Sequence, residues 1–167
     1  MPKLSYFHNI KKIITTDHFC VFVPEIPHVD RMDGGHVCIS ATRSAAYYIQ
    51  DLTDQELFEM AVLQKTVGQS MLEVLRNHGI NIKIINYQIN GNWTYDNDNK
   101  PLLHVHLYGR SFPGRIQRFG HSLYFPLKRD NESFYKDNKQ LSDLEIEEIR
   151  HRILSLIDGN YTNIVIK

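Results

Sequence analysis

The residues best able to do chemistry lie in one short segment, Leu102-Leu103-His104-Val105-His106-Leu107-Tyr108-Gly109-Arg110. Alternation of polar and apolar types marks a β-strand, and side chains two apart in a strand share a face. His104, His106 and Tyr108 therefore form one proton-active row, with Leu103, Val105 and Leu107 turned the other way. Three readings fit that spacing. Two imidazoles on a strand can present nitrogen ligands to zinc or another divalent ion. One imidazole can attack phosphorus and form a covalent intermediate that water resolves. Or the pair is a half-buried polar feature without chemistry. The metal reading needs a third ligand, for which His36 and His121 are available, neither at a diagnostic spacing.

The surrounding chain must supply the sheet that carries this row. Phe19-Cys20-Val21-Phe22-Val23, ended by Pro24, reads as a buried strand. Pro24 to Gly35 is loop, and His36-Val37-Cys38-Ile39 is a second strand beside the first. Thr53 with Glu56 forms a capping box that opens a helix. Leu57, Phe58, Ala61, Val62, Met71, Leu72 and Leu75 mark its apolar face, widened by Leu63, Val67 and Val74, and His78-Gly79 supplies the stop. A stripe that broad predicts contact with the sheet on one side and a second subunit on another.

Asn81 to Ile89 reads as a third strand and Asn90 to Lys100 as a polar turn-rich loop. Leu102 to Gly109 is the fourth strand. Ser111 to Lys139 is irregular, with aromatic residues and with Arg115, Arg118 and Lys128 among its basic ones. Ser142 with Glu145 opens a C-terminal helix whose core face is Ile146, Ile149, Ile153, Leu156 and Ile157. Tyr161 to Ile166 is a candidate last strand. Strands interleaved with two helices define an α+β class with an antiparallel sheet, a long central helix and a C-terminal helix.

The bulk numbers agree with one domain. The chain has 167 residues, 42% hydrophobic and 23% charged, with formal net charge zero. Neutrality argues against bulk electrostatic capture of nucleic acid or an anionic membrane. A small anionic ligand needs only a local positive field. The two cysteines, Cys20 and Cys38, lack a metal or redox spacing and read as buried apolar residues rather than a disulfide. No apolar run precedes the charges of Met1 to Lys12, and no stretch approaches the ~20 apolar residues that span a membrane. The expected setting is cytoplasmic.

The order of these features resembles the histidine-triad (HIT) superfamily of nucleotide hydrolases and transferases. Its hallmark is His-φ-His-φ-His-φ-φ, with φ apolar. A Gly-His-φ-φ-φ strand, a long helix and a strand with an Asn-rich turn precede it. Here these are Gly35-His36-Val37-Cys38-Ile39, Asp54 to Asn77 and Asn81 to Gly91, so the resemblance covers roughly residues 17 to 112. The tail beyond Gly109-Arg110, a C-terminal extension over 113–167, resembles that of HIT-like diadenosine tetraphosphate hydrolases.

The resemblance implies that His106, the middle histidine, is the nucleophile. One His106 nitrogen would donate to the backbone carbonyl of His104 and the other would face an α-phosphate. A nucleotidyl-histidine would form, and water would release the nucleoside monophosphate. His104 becomes an orienting residue.

The preferred substrate is a dinucleoside polyphosphate, followed by a nucleoside phosphoramidate, cleaved by a homodimer. No resident cofactor or metal is implied, although a divalent ion can arrive with a polyphosphate. The sequence departs from the pattern at Tyr108, which replaces the third histidine, and at Ser40-Ala41-Thr42-Arg43, which replaces Pro-Lys-x-His. Arg43 either adds charge near the phosphates or is simply exposed. His28 falls on the ribose-binding acidic position, with Asp30 nearby. Asn90 falls on a nucleotide-contacting Asn, or is a plain turn residue. Arg110 is a further substrate-binding candidate, and Trp93 and Tyr95 either stack on a base or cover the loop. The altered positions also allow a rival reading, a catalytically weak nucleotide-binding module.

Overall fold

The computed structural model describes residues 10–90, 102–127, 131–161 and 164–167. Five antiparallel strands make one sheet: β1 (Lys11–Thr15), β2 (Phe19–Val23), β3 (His36–Ala41), β4 (Ile82–Gln88) and β5 (His104–Ser111). Their spatial order is β1-β2-β3-β5-β4, so the histidine strand is interior, flanked by β3 and β4. The α+β expectation holds. β1 is an addition: its sequence, Lys-Lys-Ile-Ile-Thr, is too short and too charged at one end to show alternation. The strand expected at 161–166 is reduced, among the described residues, to a single bridge between Thr16 and Ile166.

Both long helices begin where their caps place them. In α1 (Asp54–Asn77), Thr53 accepts from the Glu56 N–H while Glu56 reaches back to the Thr53 amide. Gly79, at φ +79°, ends the helix in the left-handed conformation that glycine adopts freely. In α3 (Asp143–Asp158), Ser142 and Glu145 repeat the same exchange. A short helix, α2 (Glu132–Lys136), lies in the segment expected to be irregular. No described helix is long and apolar enough to cross a membrane.

The core lies between one sheet face and these helices. Val37, Ile39, Leu103, Val105 and Leu107 are buried there against Leu63, Val67, Met71 and Leu75 of α1 and Ile149 and Ile153 of α3. The α1 stripe is rotated from expectation. Leu63, Val67 and Val74, expected at its margin, are at its centre, whereas Phe58 and Ala61 are exposed. Periodicity fixes that a helix has an apolar side. Where two apolar arcs are contiguous, it does not fix which one the sheet covers.

The opposite sheet face carries the polar row, and loops roof it. Asp33 sits at the end of a 3-10 turn (Arg31–Asp33), and its buried carboxylate accepts the backbone N–H groups of Arg115, Ile116 and Gln117. Asn138 donates to the carbonyls of Pro27 and His28, fastening the β2–β3 loop. Arg31 joins the same loop to α3 through Glu145, at 2.8 and 2.9 Å. The two loops meet β5 closely. A Cβ on Gly109 would lie 2.0 Å from the Gly34 carbonyl oxygen, so that position admits no side chain.

Candidate active site

Register brings a second polar row beside the first. In the β3–β5 pairing His36 faces Tyr108, Cys38 faces His106 and Ser40 faces His104. Directly opposed residues share a sheet face. The site is therefore two adjacent strands with alternate residues polar, covered at one end by His28 from the β2–β3 loop. The His28 ring lies 4.9 Å from that of His36 and 5.4 Å from that of His106, centroid to centroid, with Phe125 and Tyr135 packed around it.

Backbone groups of known polarity fix the protons of this cluster, because an amide can only donate and a carbonyl can only accept. The His28 amide N–H donates to His36 Nδ1 at 3.1 Å. His36 must then carry its proton on Nε2, which lies 2.9 Å from His106 Nδ1 and donates to it. His106 is left with its proton on Nε2. The opposite holds one step along the strand. His104 Nδ1 is 2.7 Å from the Leu102 carbonyl and must donate to it, which leaves a lone pair on His104 Nε2. The orienting bond expected between His106 and the carbonyl of His104 is thus found two residues earlier, between His104 and Leu102. His106 is oriented by a side chain, His36, instead.

Burial disfavours the charged forms of His36, His104 and His106. It lowers the His36 pKa well below the ordinary value, with His28, His106 and His104 adding to the effect. It lowers that of His106 to about 2, helped by His104 and His28. His104 is lowered too, by burial offset in part by the Leu102 carbonyl. The Cys38 thiol, 3.2 Å from His36 Nε2 and 3.5 Å from His106 Nδ1, is pushed up by burial and stays protonated. Both cysteines are free.

Of the expected site residues, five come together and two do not. His104, His106, Tyr108, His28 and Asn90 form one cluster. Tyr108 is fully enclosed, so its hydroxyl does not meet solvent, and burial raises its pKa. Its hydroxyl lies 2.9 Å from His28 Nδ1, and the nearby Asn90 side chain opposes the effect of burial on its pKa. Arg110 continues the row on β5 but is buried, giving its guanidinium to the carbonyls of Arg118 and His121. Arg43 pairs with Glu56 and the Asp51 carbonyl at the start of α1. Both arginines fasten the fold. Trp93, Tyr95 and Lys128 lie outside the described residues. His36, considered in the sequence only as a possible third metal ligand, and Cys38, read there as a buried apolar residue, also belong to the cluster. The signal was present in Gly35-His36-Val37-Cys38, whose alternation matches that of His104-Val105-His106.

The same distances bear on the metal reading. Among the described residues, His28, His36 and His106 offer three ligand atoms within 4.8 Å of one another. The 2.9 Å between His36 and His106 is a hydrogen-bond length. Two nitrogens on a tetrahedral zinc are separated by roughly 3.3 Å when the Zn–N bonds are about 2.0–2.1 Å. His36 would also have to become an imidazolate, since its Nδ1 already accepts an amide proton. The observed distances are those of a hydrogen-bonded relay.

No protein-family model matches the sequence, and no curated protein is significantly similar to it. Solved structures do match. A histidine triad protein from Marinobacter aquaeolei VT8 superposes with TM-score 0.62 over 95% of this chain and 96% of its own, at 11% identity. A zinc-bound histidine triad family protein from Mycobacterium smegmatis gives 0.56 over 89% and 87%, at 14% identity. A hypothetical histidine triad nucleotide-binding protein from Sulfolobus tokodaii gives 0.57 over 92% and 91%, at 15% identity. The chain has the histidine-triad fold.

Proposed function

We propose that this protein cleaves nucleotides at the α-phosphate through a nucleotidyl-histidine intermediate, with His104 as the nucleophile. The observation that carries the reading is the 2.7 Å bond from His104 Nδ1 to the Leu102 carbonyl, which leaves the lone pair on Nε2. His106 has the opposite polarity, and a protonated Nε2 cannot attack. Its place is that of a donor to a phosphate oxygen. In the first step His104 Nε2 bonds to phosphorus and the phosphorus–leaving-group bond breaks, its electron pair departing with the leaving group. In the second, water attacks phosphorus, the P–N bond breaks and the nucleoside monophosphate is released. The substrates in view are dinucleoside polyphosphates and nucleoside phosphoramidates. The same proposal includes a homodimer, checked by sedimentation against the 19.6 kDa chain mass, and a cytoplasmic setting.

The test is incubation with a panel of nucleotidyl substrates, with product identification and acid-free quenching to trap the adduct for peptide mapping. A nucleotidyl group on the peptide at His104 is expected. An adduct on His106 would reverse the assignment, and no cleavage of any substrate would end the reading. A catalytically weak nucleotide-binding module is the second reading. It is favoured by the engagement of both Arg43 and Arg110 with the protein itself. Saturable nucleotide binding without turnover would establish it.

A further inference from the structure

The segment that follows β5 combines exposed rings with unopposed cations. From Ser111 to Leu127 the chain has no Asp or Glu, and its basic residues include Arg115 and Arg118. Phe112, Ile116 and Phe119 are interspersed with them and are 54%, 44% and 39% exposed. The Phe112 and Phe119 rings stand edge to face, with centroids 5.8 Å apart and planes at 80°. Large apolar side chains grouped in water, rather than scattered singly, mark a binding surface.

The backbone beneath these side chains is fixed by two enclosed groups of opposite charge. Asp33 takes the amides of Arg115, Ile116 and Gln117, and Arg110 gives its guanidinium to the carbonyls of Arg118 and His121. The Gln117 side chain exchanges hydrogen bonds with the backbone of Tyr124 in both directions. All of these bonds end on main chain, so the side chains of Phe112, Arg118 and Phe119 are not needed to hold the loop. A rigid scaffold with outward side chains is how recognition loops are built.

Charge decides what can lie on this surface. Arg118 is exposed and makes no ion pair among the described residues. The Arg115 side chain, 67% exposed, has one 3.5 Å contact to the enclosed Asp30 carboxylate. The loop therefore admits an anion. Guanidinium groups match phosphate with paired N–H bonds. Exposed aromatic rings match the flat faces of unpaired bases. A single nucleic-acid strand supplies both together. A duplex keeps its base faces stacked inside, and an acidic peptide or anionic lipid surface supplies charge without flat rings. The chain as a whole is neutral, so electrostatic attraction is limited to these two arginines and stacking must carry most of the affinity.

We propose that the loop over residues 112–119 is a docking surface for single-stranded nucleic acid, with Phe112 and Phe119 stacking on bases and Arg115 and Arg118 meeting phosphates. It is separate from the nucleotidyl-transfer reading above, since none of these four side chains is bonded to the histidine cluster. The test is fluorescence anisotropy of a labelled oligothymidylate of about 12 nucleotides, titrated with the full chain at several salt concentrations, beside an abasic strand of the same length. Saturable binding is expected, with log affinity falling against log salt at a slope of about −1.4, or about −0.7 for each of two phosphates. The abasic strand should bind at least about fivefold more weakly. Phe112→Ala and Phe119→Ala should each weaken binding of the normal strand by at least about fivefold at unchanged slope. Arg118→Gln should flatten the slope by about 0.7. Thermal unfolding confirms that each variant is folded, and the comparison of strands needs no variant.

Absence of saturable binding overturns the proposal. So does equal binding of the abasic strand, which would reduce the contact to charge alone. Co-sedimentation with phosphatidylserine vesicles, without strand binding, would assign the patch to a lipid surface and overturn it as well. Cleavage at the histidine cluster is read separately, by product formation, and its failure would leave the docking surface standing.

Discussion

At the scale of single residues, the division of labour between His104 and His106 rests on two bonds, one to a carbonyl and one from a protonated ring. Removing His104 removes the attacking nitrogen, so His104→Ala should lower turnover by more than about 10⁴-fold, as losing a nucleophile does elsewhere. His106→Ala removes one donor and should lower it by about 10²–10³-fold. Single-turnover rates on one substrate distinguish the two, and equal losses would contradict the roles assigned here. Arg43→Ala should leave kcat and KM unchanged and lower the unfolding temperature, because Arg43 braces Glu56 at the start of α1 and touches nothing in the cluster. Steady-state kinetics beside a melting curve check both halves. The row His104, His106, Tyr108 was legible in the sequence because strand alternation is a strong local signal. The polarity of each imidazole was not. It depends on the Leu102 carbonyl, which is local, and on the His28 amide, which reaches His36 only after a loop folds over β3. Arg43 and Arg110 misled for the same reason. A cation near a phosphate site in sequence is satisfied by whatever the tertiary structure puts closest.

At the scale of elements, capping boxes and glycine stops were the readable features, since each is closed within four residues. Thr53 with Glu56 and Ser142 with Glu145 opened their helices where expected. The face each helix buries is a tertiary property, and α1 shows it. Leu63→Ala should destabilise by about 2–5 kcal/mol, because Leu63 is wholly enclosed under the sheet. Phe58→Ala, on the 51% exposed side, should change the stability of the monomer by no more than about 0.5 kcal/mol. Urea unfolding of both variants measures the contrast. If Phe58→Ala proves the costlier change, the helix is rotated from the face described. β1 escaped notice because its five residues, two of them lysines, offer no alternation. Its partner β2 supplies the edge that holds it, and that pairing is invisible in local sequence.

At the scale of the whole molecule, the buried imidazoles couple folding to pH. His36, His104 and His106 all have folded pKa values below the ordinary histidine value, with burial the first cause of each. They face one another together with His28, Cys38 and Tyr108, and no carboxylate is bonded to them among the described residues. The folded protein keeps them neutral where the unfolded chain would protonate them. Their contribution is therefore complete above about pH 6.5, the unfolded value, and is lost as pH falls from there, towards the folded value of about 2 for His106. Each such group steepens the loss by up to about 1.4 kcal/mol per pH unit. Urea midpoints should fall clearly between pH 7 and pH 5, and a flat profile would show that the cluster is hydrated or charged. The acid limb of the rate profile should likewise lie below pH 6.5, since His104 Nε2 keeps its lone pair to lower pH than a free imidazole does.

The carboxylate of Asp33, which takes three consecutive loop amides, has a consequence in time as well as in space. Surface loops without regular structure ordinarily trade their amide hydrogens with solvent as fast as they open. The N–H groups of Arg115, Ile116 and Gln117 are instead tied to one enclosed anion. In heavy water these three should retain their hydrogens about as long as the amides of the strand they cover. They mark a stretch of irregular chain that opens only when the sheet beneath it does.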